Sequence, residues 1–116
     1  MTIDGMPLND FAKEVYRNAV EHGIAQDQTS FNDCIAECHG ELSEALKAKR
    51  DNPNAVIMYE VPDGVGIKPE GVLIEFADVI LRILSYCGSR DWDIEEAIRR
   101  KHKYNQTRPY RHGREI

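Results

Sequence analysis

The sequence predicts an all-α chain: a four-helix-bundle-type protomer over residues 1–116, with a short β-hairpin or flap between the second and third helices. Three observations carry this. Apolar residues recur at spacings of three and four through four segments. Caps and stops fall around those segments, at Gly23, Ser30, Pro53, Gly88 and Asp93. Strand-like patterning is concentrated in one stretch, Val56 to Val61.

The first helix is expected from Leu8 to His22. Phe11, Val15 and Ala19 line one face at a spacing of four, and Gly23 stops it. The second is expected within TSFNDCIAECHGELSEALKAKRDNP. Ser30 and Asp33 resemble a capping box, Ile35, Cys38, Leu42, Ala45 and Lys49 follow one stripe, and Pro53 lies just past the end. The connection from Asp51 to Lys68 is long for a compact domain, which marks functional or disordered sequence. Its VPDGVG is a turn signal. Pro69 and Glu70 lead into the third helix, expected to reach about Tyr86 with Gly88 as terminator. Asp91 or Asp93 caps the fourth, whose buried side is Ile94, Ala97 and Ile98, with Trp92 as a staple to the core.

Composition sets the class. At 116 residues, 41% apolar and 30% charged, the chain is one globular domain. No apolar run is long enough to span a bilayer, so no membrane partner is expected. The start, MTIDGMPLNDF, lacks the basic and apolar regions of a signal peptide. Three cysteines, an odd count, argue against a disulfide framework, and a cytoplasmic location is expected. The net charge of -5 is unevenly spread: Arg99 to Arg114 holds seven Lys or Arg and no acid. Such a segment binds phosphates or nucleic acid, or is a solvated helix end.

The chemistry lies in the acids. In LIEFADVILRILSYC, Glu75, Asp78, Arg82 and Ser85 form one polar stripe on an otherwise apolar helix. A helix apolar nearly all round is buried on most sides, which in so short a chain calls for a second subunit as well. On the second helix Glu37, Glu41 and Glu44 share a face, where like charges repel. If the two rows face each other they gather four or five carboxylates, which need cations. An all-oxygen ligand set favours a hard ion such as Mg2+. Zinc is disfavoured: Cys34, Cys38 and His39 have no partner pair, and Cys34 and Cys38 suit core packing. The Glu-x-x-His of di-iron bundles is absent. The alternative to a metal site is an Asp78–Arg82 salt bridge or a mixed-charge seam, and the residues alone leave both open.

GELSEALKAKRDN, KPEGVLIEFADVILRILSYC and KHKYNQTRPYR together resemble the MazG-like branch of the all-α nucleoside triphosphate pyrophosphohydrolases. Its Glu-x-x-Glu, spacer, Glu-x-x-Asp signature falls on Glu41, Glu44, Glu75 and Asp78. Its later Lys-x-x-x-Asn-x-x-Arg falls on Lys101, Asn105 and Arg108. The resemblance implies a homodimer or homotetramer that binds Mg2+ and hydrolyses a nucleoside triphosphate to monophosphate and pyrophosphate. It implies that the four acids hold metal and that Lys101, Asn105 and Arg108 contact phosphates. Glu41 or Glu44 is the candidate general base. Glu37, Tyr104 and Arg111 are further candidates, Glu37 as an extra ligand, a base or a solvated neighbour, and Tyr104 as a platform for a base. The Asp51 to Lys68 connection looks long for the smallest members. The competing expectation is a non-catalytic helical module that binds nucleic acid or oligomerises through the basic segment, against which the overall negative charge argues.

Overall fold

A computed structural model of the chain describes residues 1–23, 30–51 and 57–110. Four helices dominate: α1 (Leu8–Glu21), α2 (Phe31–Asp51), α3 (Val72–Arg90) and α4 (Ile94–Thr107). Two small antiparallel sheets accompany them: β1 (Thr2–Ile3) with β2 (Met6–Pro7), and β3 (Tyr59–Pro62) with β4 (Ile67–Glu70).

The β1–β2 hairpin was not anticipated. Its turn is Asp4-Gly5, both at positive φ (52° and 79°), the pair that two-residue hairpins favour. The expected hairpin between the second and third helices is present. It pairs Tyr59 with Glu70 and Pro62 with Ile67. Asp63 closes its turn, with Oδ1 accepting from the amides of Val65 and Gly66 at 3.0 and 2.8 Å. Val56 and Pro53 lie outside the described residues.

Helix α1 starts at Leu8 as expected and ends one residue early at Glu21, with His22 as its C-cap and Gly23 at φ 70°. At α2, Ser30 Oγ accepts from the amide of Asp33 at 3.0 Å, half of the expected capping box. Helix α3 runs past Gly88 to Arg90, and Asp91 caps it in the left-handed region. Gly88 has a different task. A Cβ there would lie 2.7 Å from the carbonyl carbon of Ala12, so glycine lets α1 and α3 approach closely. Asp93 is the cap of α4, its side chain accepting from the amide of Glu96. Asn9 of α1 donates to Asp93 Oδ1 at 2.7 Å and accepts from the amide of Glu95, which seats α4 on α1.

Helix α3 is central, with α1 packed along one side and α2 along another. Helix α4 packs on α1 and makes no comparable contact with α2 or α3. Leu8, Ala12 and Leu84 form the core cluster, with Phe11 and Ile94 against it. Along α2 the buried residues are Cys34, Cys38 and Ala45. The expected stripe is corrected there: Ile35 and Leu42 are exposed. So are Ala97 and Ile98, and α4 buries no residue fully. Trp92 stays half exposed, edge-on to Tyr86, which is edge-on to Phe31. No large side chain among the described residues is fully buried, and Leu46, Leu73, Phe76, Ile80 and Ile83 are exposed too. The radius of gyration is 16.8 Å. About 13 Å is usual for a compact domain of this length.

Candidate metal centre

The seam between α2 and α3 holds the acids. Glu41 comes from the middle of α2, whose register is set by the buried Cys34, Cys38 and Ala45. Glu75 stands in the first turn of α3, where the helix dipole favours negative charge. That first turn is pinned by the residues leading into β3: the amide of Leu73 donates to the Ile57 carbonyl at 3.0 Å, with Gly71 between at φ 122°. Asp78 follows one turn later. Glu41, Glu75 and Asp78 each bring a carboxylate oxygen within 4.8 Å of the others, the metal-capable group found among the described residues. Glu44 lies on the exposed side of Glu41, close enough to hydrogen-bond it.

Three acids so close cannot all ionise at ordinary values. Burial, a hydrogen bond with Glu41 and the charges of Glu41, Glu44 and Asp78 push Glu75 up to about 7. Burial opposes ionisation at Glu41 too, but hydrogen bonds from Glu75 and Arg82 and the Arg82 charge outweigh it and hold Glu41 below its usual range. Asp78 is raised by burial and by Glu41, with Arg82 and Lys68 pulling the other way.

Arg82 does not take Asp78 as its partner. It reaches across the seam, Nη1 to Glu37 Oε2 at 3.0 Å and Nη2 to Glu41 Oε1 at 2.9 Å. Both sequence readings of these acids therefore have a physical counterpart, an ion-paired seam beside a convergent carboxylate group. Glu75 Oε2 is buried without a hydrogen-bond partner, the kind of atom a cation would satisfy. The donors are all carboxylate oxygens, so the residues fit a hard divalent ion such as Mg2+.

The cysteines are free and buried. Cys34 donates to the Arg82 carbonyl at 3.9 Å. Its thiol is pushed up to about 11 by burial and by Cys38, Glu37 and Cys87.

The predicted phosphate contacts lie elsewhere in the chain. Lys101 and Asn105 line a shallow depression with Ile94, Ala97, Ile98 and His102 on α4. Lys101 and Arg108 both sit over the Tyr104 ring, at 5.0 and 5.2 Å from its centre. They share the C-terminal part of the chain, on a helix that packs on α1 and not extensively on α2 or α3, which carry the acids. Arg111 lies outside the described residues. Lys68 was missed: it is on β4, and its charge acts on Asp78 only because the hairpin folds back onto α3.

Comparison with protein-family models, curated proteins and solved structures found no match.

Proposed function

We propose that the chain is a Mg2+-dependent nucleoside triphosphate pyrophosphohydrolase of MazG-like type, a cytoplasmic homo-oligomer that releases monophosphate and pyrophosphate. The observation that supports this best is the convergence of Glu41, Glu75 and Asp78, with Glu75 Oε2 buried and unpaired. The three carboxylates would hold the ion, with Glu44 beside them. When bound, it neutralises phosphate charge and acidifies an attacking water. Glu41 is engaged by Arg82 and Glu75, so Glu44 is the carboxylate better placed to accept that water's proton. Lys101, Asn105 and Arg108 supply donors for a triphosphate, Arg108 suiting bidentate contact. In this reading α4, which packs on α1, offers these donors to the acids of a second copy.

The test is a product assay with Mg2+ and a panel of nucleoside and deoxynucleoside triphosphates. Monophosphate plus pyrophosphate is expected, abolished by chelator and by Glu75→Gln. Diphosphate plus phosphate, or full activity in Glu75→Gln, would overturn the assignment. The nucleic-acid reading has less support, because Arg99 and Arg100 are already paired with Glu95 and Glu96 on α4.

A further inference from the structure

Arg82 is the one cation hydrogen-bonded to the acid cluster among the described residues, and its geometry is specific. Its two terminal nitrogens serve two different carboxylates, one turn apart on α2. The outer partner, Glu37, is 48% exposed, and the inner one, Glu41, only 14%. A planar guanidinium held at both ends has little rotational freedom left. The same clamp restrains Glu41, whose Oε1 accepts from Arg82 while its carboxylate also stands within 4.8 Å of Glu75 and Asp78. Asp78, one turn back on α3, is not drawn into the pair, so it stays available to the cluster.

Resting on the metal reading above, we propose that Arg82 is a positioning residue for cation binding, and that Glu37 acts through Arg82 as its outer anchor and is not a ligand. Simple charge counting gives the opposite sign. If Arg82 were only a counterion, removing it would leave the cluster more negative and cation binding tighter. If it orients Glu41, removing it weakens binding, as loss of a ligand's hydrogen-bond partner does.

The experiment is calorimetric titration of the full chain with Mn2+ and Mg2+ at pH 8, with helicity checked by circular dichroism. Arg82→Gln weakens binding roughly tenfold. Arg82→Lys keeps the charge without the fork and recovers little of that loss. Glu37→Gln weakens binding by a smaller factor and has no further effect in the Arg82→Gln background. Binding unchanged or tighter in Arg82→Gln overturns the proposal, as does a Glu37→Gln effect that persists undiminished in the double variant, which would make Glu37 a ligand. Should Arg82→Gln lose its helical signal, Arg82→Lys and Glu37→Gln carry the test: each must weaken binding and the two effects must not add. Glu75→Gln separates the two levels. If it binds metal like wild type, or the wild type binds none, the metal reading fails and this proposal with it. If it abolishes binding while Arg82→Gln changes nothing, the positioning role alone fails.

Discussion

Glu75 enters α3 with one oxygen buried and unpaired and with Glu41, Glu44 and Asp78 around it. Its folded value near 7 exceeds the roughly 4.3 of a free glutamate, so between those values the folded chain binds a proton that the unfolded chain does not. The stabilising contribution of protonated Glu75 is therefore complete below about pH 4.3 and is lost as pH rises through 7. Thermal melts in chelator should show Glu75→Gln flattening this fall, with the variant more stable than wild type at pH 8. Metal must displace the same proton, so Mg2+ affinity should rise as pH climbs through about 7. Calorimetry in two buffers of different ionisation enthalpy would show up to one proton released. The spacing of Glu41, Glu44, Glu75 and Asp78 was legible because helical periodicity fixes which residues share a face. The partner of Arg82 was not. Asp78 at i+4 and the acids of α2 are equal candidates in one dimension, and only the packing of α2 on α3 decides.

Among the elements, the helices were legible and several of their ends were not. Gly88 looks like a stop because glycine commonly ends helices, yet here the α1 backbone demands the missing side chain. Gly88→Ala should cost about 1–3 kcal/mol, read as a fall in Tm, since the obstruction is the Ala12 backbone and not a flexible tip. Glycine to alanine at an open helical position is normally stabilising, so the sign of the change is itself the check. Asp93→Ala removes both the α4 cap and the hydrogen bond from Asn9, and should lower Tm by a few degrees while loosening α4. Amide exchange in the first turn of α4 would report it. The short β1–β2 hairpin escaped notice because two-residue strands carry no periodicity, although Asp4-Gly5 was a usable signal.

At the scale of the molecule, an uncovered apolar surface dominates. Leu73, Phe76, Ile80 and Ile83 on α3 and Ile35, Leu42 and Leu46 on α2 are each two-fifths exposed or more. Their combined area is on the order of the 800 Å² that each partner gives a standard interface. Monomers rarely leave so much apolar surface open. Light scattering should give a mass of two or four chains, and Ile80→Glu with Phe76→Glu should reduce it. Sequence pattern marked α3 as apolar nearly all round and called for a second subunit over it; which of its residues stay open within one chain follows only from how α1 and α2 pack on α3. If α4 of one copy serves the acids of another, mixing inactive Glu75→Gln with inactive Arg108→Ala should restore part of the activity, because some mixed sites carry neither change. Failure to restore any would place both sets of residues in one chain. The buried thiols add a practical property. Cys34 and Cys38 on α2 and Cys87 on α3 are buried, and burial and its neighbours suppress the Cys34 thiolate at neutral pH. An alkylating reagent reaches them fastest when the helices part, so the labelling rate should act as a clock for that opening, built into the chain without any added probe. An ion that ties Glu41 to Glu75 and Asp78 should slow that clock, and a nucleotide analogue should slow it further.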